Sequence, residues 1–196
     1  FGGWLMMPRI AVLAFVSLLL SEAAFAQCES GRTSQEIDAQ ITSGVQAFEE
    51  GNYTRAFQIF EPLAKCGSAL AQNNLGALYG EGHGVPKDEV EAARWYQASA
   101  SQGHSTAQAN LGWFYWTGTV FQRDQDEAER YFRLSAAQGD DEGIGGLKEL
   151  ASLGVVAAQV SLGDLYYNGT GVSQDYDEAM RWWLRAAGSS HATLIS

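Results

Sequence analysis

The chain has 196 residues, with 12 Lys and Arg against 23 Asp and Glu, and a formal net charge of −11. Because binding to nucleic acid requires clustered basic side chains, this balance argues against a nucleic-acid partner and against an anionic membrane surface. The length fits one domain or a short array of repeats.

The first 26 residues have the organisation of a secretory signal peptide. The positive segment MMPR precedes the apolar run IAVLAFVSLLL, and Ala24 and Ala26 occupy the small-residue positions of a cleavage site. The alternative is a membrane-spanning helix, but this run is shorter than the ~20 residues that a span requires. We therefore expect an exported protein, periplasmic or secreted, with no membrane insertion after cleavage.

Cys28 and Cys66 are the two cysteines of the chain, and both follow the signal segment. An even number of cysteines in an oxidising compartment predicts a disulfide between them. Two free thiols or an intermolecular bond are the alternatives that the sequence leaves open. A lipid-modified Cys28 is disfavoured, because Gln27 stands where a lipobox has a small residue.

Three segments of the chain align with one another without gaps. They are AQNNLGALYGEGHGVPKDEVEAARWYQASASQGHS from Ala71, AQANLGWFYWTGTVFQRDQDEAERYFRLSAAQGDD from Ala107 and AQVSLGDLYYNGTGVSQDYDEAMRWWLRAAGSSHA from Ala158. A looser copy, SGVQAFEEGNYTRAFQIFEPLAKCGS, begins at Ser43. Self-similarity of this kind is typical of repeat architectures, in which neighbouring hairpins stack to build one continuous core.

Each copy predicts two helices, because apolar residues such as Leu75, Leu78 and Tyr79 recur at helical spacing. A glycine also recurs inside the first helix of each copy. The recurring glycines are Gly76, Gly112 and Gly163. A glycine within a helix costs about 1 kcal/mol relative to alanine. Its recurrence therefore predicts that another helix approaches closely at this position.

The loop between the two helices carries an aspartate with a glutamate three residues later. This spacing predicts a capping box, in which the aspartate accepts from a first-turn N–H and the glutamate reaches back. The pairs are Asp88 with Glu91, Asp124 with Glu127, and Asp175 with Glu178. A glycine at the start of each loop (Gly82, Gly118, Gly169) supplies the positive φ that ends the first helix.

These turn roles explain the glycine-rich loop of the first copy without phosphate chemistry. No Lys-Ser or Lys-Thr pair closes the loop, and His83 is replaced by Thr119 and Thr170 in the later copies. The sequence therefore predicts neither a metal site nor a cofactor.

The motif AQNNLGALYGEGHGVPKDEVEAARWYQASASQGH resembles the Sel-1-like repeat (SLR) family, which is related to the tetratricopeptide repeats. The resemblance covers roughly residues 43–191 and implies an all-α right-handed α-solenoid of stacked antiparallel helix hairpins. It also implies a scaffold that binds other proteins, often in bacterial envelopes. In such solenoids the first helices line the concave face.

The chain is thereby divided into eight segments. They are 1–26, a signal peptide with residues 1–5 as an upstream extension; 27–42, a lead; 43–67, a tetratricopeptide-like repeat; 68–106 and 107–139, two SLR repeats; 140–154, an extra helix or a degenerate repeat; 155–190, a further SLR repeat; and 191–196, the start of another repeat.

Candidate binding residues are the first-helix positions that vary between copies, because the fold does not fix them. They are Asn73, Ala77, Trp113, Trp116, Asp164 and Tyr167, and Asn74 and Asn110 flank this stripe. Neither Trp113 nor Trp116 is required by the repeat, and an exposed tryptophan is a common interface anchor. The alternative is that both pack against the insertion at 140–154.

The chain contains none of the common hydrolase motifs, so we predict a non-enzymatic scaffold. Its expected partner is a protein or peptide of the cell envelope, with an adaptor or regulatory role. The alternatives are a β-lactam-interacting SLR hydrolase, or a cell-wall glycan binder that stacks sugars on Trp113 and Trp116. Because no capping helix follows Ala187, we expect Trp182 and Trp183 to be partly uncovered. The alternatives for this end are a longer natural protein and oligomerisation with another chain.

Overall fold

The computed structural model describes residues 34–192, which form nine α-helices and no strands. The helices are α1 (Ser34–Glu49), α2 (Tyr53–Lys65), α3 (Ala69–Glu81), α4 (Glu89–Ser101), α5 (Ser105–Thr117), α6 (Gln125–Ala136), α7 (Asp141–Ser152), α8 (Val156–Asn168) and α9 (Tyr176–Ala192). Each helix packs against the next, so the chain is an all-α solenoid, as expected. The signal segment and Cys28 lie outside these residues.

The recurring glycines inside the first helices mark close helix–helix contacts, which confirms the prediction. A Cβ on Gly76 would lie 2.8 Å from the ring of Tyr96, and one on Gly112 would lie 2.6 Å from the ring of Phe132. Gly163 faces Trp183 in the same way. The aromatic residue of each second helix therefore rests directly on the backbone of the first.

The loop glycines adopt the predicted left-handed conformation. Gly82, Gly118 and Gly169 follow the first helices with φ of 73°, 74° and 65°. A Cβ on Gly84, at φ +72°, would also lie 2.7 Å from the carbonyl carbon of Tyr53. The loop of the first SLR copy is thus held against the start of α2, and His83 stacks on Tyr53 with ring centroids 4.0 Å apart.

Only half of the predicted capping box forms. Asp88 Oδ1 accepts from the backbone N–H groups of Val90 and Glu91 at 3.0 and 2.9 Å, as predicted. The reciprocal bond was predicted wrongly, because the backbone N–H of Asp88 already donates to the carbonyl of Tyr79 at 2.8 Å. Glu91 instead pairs with Arg94 one turn ahead.

The same arrangement recurs in the other copies. The backbone N–H of Asp124 donates to Tyr115 O, and that of Asp175 donates to Tyr166 O. The corresponding glutamates, Glu127 and Glu178, pair with Arg130 and Arg181. Each aspartate therefore closes the loop onto the preceding helix with its backbone while its side chain caps the following one.

We expect Asp124→Ala to lower the free energy of unfolding by about 1 kcal/mol, because two first-turn N–H groups lose their acceptor. Glu127→Ala is the matched control, since it removes only a solvent-exposed ion pair, which contributes about 0.2–1 kcal/mol. Urea unfolding of both variants measures the difference. An equal loss in the two would show that the glutamate does take part in the cap.

The segment 140–154 contains a single helix, α7, whose two ends make two different kinds of contact. At its start, the Asp140 carboxylate accepts from the hydroxyls of Ser105 and Thr106 on α5, at 3.0 and 2.9 Å. At its end, Gln159 Nε2 on α8 donates to Ala151 O at 3.0 Å. The sequence around that end, LASLGVVAAQ, matches LAKCGSALAQ between α2 and α3.

This single helix changes which helices become neighbours. Besides the consecutive pairs, α5 packs against α7 and α6 packs against α8. Ser161 of α8 donates to the buried carboxylate of Glu129 on α6 at 2.5 Å. α8 therefore contacts the second helix α6 as well as α7.

The two tryptophans of α9 differ in how well they are covered. Trp182 is 7% exposed and belongs to the hydrophobic core that α6, α7 and α8 share. Trp183 is half-buried over Gly163. The expectation of partial exposure is therefore wrong for Trp182, which the core covers, and agrees with the position of Trp183. None of the helices in residues 34–192 is long and apolar enough to cross a membrane.

Candidate functional site

The asparagines of the candidate set join α3 to α5. Asn73 is buried, at 9% exposure, and its Oδ1 accepts from Asn110 Nδ2 at 3.5 Å. Asn74 is half-buried, and its Nδ2 donates to Leu70 O at 2.9 Å. Asn73 therefore serves the contact between the two helices, while Asn74, Ala77 and Asn110 remain partly open to solvent.

Trp113 and Trp116 are both half-buried on α5. Trp113 meets Phe132 edge-on, with ring centroids 4.9 Å apart. The Arg123 guanidinium lies 4.3 Å from the centre of the Trp116 ring. Both tryptophans pack against the core cluster to which α7 contributes, so they share packing with the insertion and keep a partly open face. They are the largest side chains of the candidate set on α3 and α5.

Asp164 and Tyr167 lie on α8, and their contacts run to α9. The Trp183 indole N–H donates to Asp164 Oδ1 at 3.2 Å. The Tyr167 ring lies 5.4 Å from both the Trp183 and Tyr176 rings, measured between centroids. The candidate residues therefore fall into two groups, one on α3 and α5 and the other on α8 and α9.

Sequence reasoning did not assign Tyr176 and Trp183 to the second group. It treated Trp183 as a partly uncovered residue at the end of the array and did not connect it with Tyr167. It also passed over the recurring glutamine of the AQ motif, which is buried in all three copies. These residues are Gln72, Gln108 and Gln159, at 7%, 6% and 4% exposure. The repetition of AQ was the available signal.

Asp140 is the most strongly hydrogen-bonded carboxylate between α5 and α7. Burial raises its pKa, but hydrogen bonds from Thr106, the Gly143 N–H and Ser105 outweigh this effect and leave the pKa below its usual value. The neighbouring His104 caps α5 through Nδ1, which accepts from Ala107 N–H at 3.4 Å. Burial lowers the pKa of His104, and the charge of Asp140 opposes that shift.

We expect Asp140→Asn to lower the melting temperature at pH 7, because asparagine can still cap α7 but carries no charge. A carboxylate whose pKa is lowered by folding stabilises the protein above its unfolded pKa. That stability is lost as the pH falls from about 5 through the lowered pKa. The melting temperatures of the unmodified protein and of Asp140→Asn should therefore approach each other as the pH falls from 7 to 3. A constant difference would show that the ionised form is not what stabilises the contact.

No group of three or more His, Cys, Asp and Glu side chains within residues 34–192 is arranged to hold a metal ion. A cleft of about 300 Å³ lies between α1 and α2 and is lined by Gln40, Ser43, Gln58, Ile59 and Pro62. None of the candidate binding residues lines this cleft.

Comparison with known protein families identifies the repeats. The family model described as Sel1 repeat matches residues 69–104, 105–140 and 156–191. The chain belongs to the Sel1 repeat family. Sel1 repeat proteins generally serve as scaffolds for protein–protein interaction and are typically non-catalytic. The three matches leave α7 between the second and third Sel1 repeats.

Two solved structures of Sel1 repeat proteins resemble this chain. One is a protective antigen of uropathogenic Escherichia coli strains that displays an SLR fold, with 35% identity and a TM-score of 0.53 over 86% of this chain. The match covers 33% of that antigen, so this chain spans about a third of its length. The other is a Sel1 repeat protein from Oxalobacter formigenes, with 28% identity and a TM-score of 0.48. That match covers 76% of this chain and 69% of the other. A search of curated proteins found no match.

Proposed function

We propose that this protein is an exported scaffold that binds a protein or peptide of the bacterial envelope through α3 and α5. The scaffold role is the general role of Sel1 repeat proteins. The observation that carries the choice of surface is the half-exposed pair Trp113 and Trp116, which replaces Ala77 and Gly80 of the preceding repeat. Large aromatic side chains at unconstrained positions are typical interface anchors.

Site-specific photo-crosslinking in living cells tests this surface. A benzoylphenylalanine at position 77, on α3, should crosslink one partner protein, which mass spectrometry then identifies. The same residue at position 97, an exposed site on α4, is the matched control and should give no such adduct. Crosslinks of equal strength from both positions, or from position 97 alone, would contradict the proposal.

Export to the periplasm is the second part of the proposal. Its support is the signal-like segment 1–26 and the even number of cysteines. We expect fractionation to recover the protein in the periplasm or the medium, cleaved after Ala26. We also expect a disulfide between Cys28 and Cys66, which would make the intact mass lower than that of the reduced chain by two hydrogens. Recovery in the cytoplasm with both thiols reduced would contradict export.

Self-association through α9 is a further part of the proposal. Met180 is 54% exposed, whereas the equivalent Ala93 and Glu129 are buried, at 2% and 8% exposure. Leu184, one turn on, is 64% exposed. Light scattering of the purified chain should detect an oligomer that Met180→Lys dissociates. A monomer at all concentrations would contradict self-association through α9.

A further inference from the structure

Three aromatic rings gather on the surface where α8 meets α9, and we call them the α8–α9 aromatic cluster: Tyr167, Tyr176 and Trp183. Tyr167 lies between the other two, with its ring centroid 5.4 Å from each. Tyr167 and Tyr176 are 48% and 60% exposed. The exposed carboxylate of Asp164 lies against the edge of Trp183, whose Nε1–H donates to it.

In the preceding repeat, the equivalent aromatic ring already has an arginine side chain over its face. Trp116 is the equivalent of Tyr167, and Arg123 is the equivalent of Gln174, five residues beyond the loop glycine in each copy. The guanidinium of Arg123 lies 4.3 Å from the Trp116 ring centre. Gln174 instead turns its Nε2 to the backbone carbonyl of Tyr167, at 2.8 Å. The last repeat therefore keeps the ring but lacks the cation.

We propose that the α8–α9 aromatic cluster binds an arginine or lysine side chain from a basic peptide segment of a partner. The faces of electron-rich rings attract cations, and arginine is the more frequent partner because its planar guanidinium also stacks. Asp164 supplies a carboxylate beside the rings for the same cation. The net charge of −11 favours the approach of a basic segment.

The neighbouring arginines of α9 already have partners within the chain. Arg181 pairs with Glu178, and the Arg185 guanidinium lies 4.7 Å from the centre of the Trp182 ring. Neither arginine is therefore available to the cluster, and we place the cation on another molecule. This inference shares with the proposed function only the assumption of a peptide partner, since the cluster is separate from the surface on α3 and α5.

The test uses the full exported chain and follows the Trp183 indole N–H resonance by NMR, assigned with Trp183→Phe. The probe is a short blocked peptide with two arginines separated by glycines. The control peptide carries citrulline, which has the same shape without the charge. We expect the arginine peptide to shift the Trp183 resonance and the citrulline peptide to leave it unchanged. Equal shifts with both peptides would overturn the proposal.

Exchanging the two equivalent residues provides a variant with unchanged net charge. In Arg123→Gln/Gln174→Arg the guanidinium moves from Trp116 to Tyr167, so the cluster becomes self-occupied. We expect affinity at Trp183 to fall by about threefold or more, the size of a surface cation–π contact. The response should appear instead at the Trp116 indole. Unchanged affinity at Trp183 would overturn the proposal.

A cell-wall oligosaccharide is the competing ligand, because sugars also stack on exposed rings. A shift of Trp183 with the saccharide and none with the arginine peptide would assign the cluster to glycans and overturn the cationic site. Neither result affects the crosslinking test at position 77, so the two proposals can fail independently.

Discussion

Replacing Phe132 with alanine is expected to lower the free energy of unfolding by about 3–5 kcal/mol, the cost of emptying a fully buried aromatic site. Phe132 is 0% exposed. Its ring lies between the backbones of Gly112 on α5 and Gly146 on α7, and it contacts Trp113 edge-on. Three helices therefore lose their common contact, and glycine backbones have no side chains with which to fill the cavity.

Urea unfolding followed by circular dichroism measures this loss. The matched control is Leu134→Ala on the same helix, because Leu134 is 36% exposed and outside the shared core clusters. The stability of a solenoid is approximately a sum of repeats and their interfaces. Hydrogen exchange should therefore locate the loss in α5 to α8. A loss no larger than that of the control would show that α7 does not pack on Phe132 in this way.

Two adjacent glycines of α7 are expected to respond in opposite directions to alanine. A Cβ on Gly146 would clash with the ring carbons of Phe132, while a Cβ on Gly145 would meet nothing within 4 Å. Overpacking costs about 1–3 kcal/mol, so Gly146→Ala should be destabilising by that amount. Gly145→Ala should stabilise by up to about 1 kcal/mol, the difference between the two residues within a helix.

The same unfolding experiment tests the pair, with each variant as the control for the other. A double variant identifies the cause, since Gly146→Ala should cost less once Phe132→Ala has removed the ring. Mutations of residues in contact are expected to be non-additive in this way. Additive losses would show that the methyl group added at position 146 clashes with a residue other than Phe132. A stabilising Gly146→Ala would contradict the close approach altogether.

The capping aspartates show which hydrogen bonds a local sequence pattern can predict and which it cannot. The spacing of Asp88 and Glu91 predicted the side-chain cap, because an aspartate beside a helix start meets its N–H groups whatever surrounds it. It did not predict that the Asp88 N–H donates to Tyr79. That bond depends on where the loop returns to α3. Because the Asp88 N–H is already used in it, Glu91 cannot accept a hydrogen bond from this group.

The candidate site was likewise only partly predictable from the sequence. Sequence variation picked out Trp113, Trp116 and Tyr167 without any knowledge of their neighbours, because the comparison of copies needs only the alignment. It could not separate α5 from α8, and it treated Asn73 as a surface residue. The burial of Asn73 depends on Asn110, which belongs to the next repeat.

The sequence by itself determined the helix pairs of the three Sel1 repeats, the loop glycines, the aspartate side-chain caps, the close helix approach at the helical glycines, and the family. All of these depend on residues within one hairpin, where spacing along the chain fixes spacing in the fold. Only the tertiary structure decided that α7 neighbours α5 at one end and α8 at the other, and that α8 lies beside α6. These contacts depend on how the inserted helix packs, and bonds such as Ser161 to Glu129 form only after the hairpins stack.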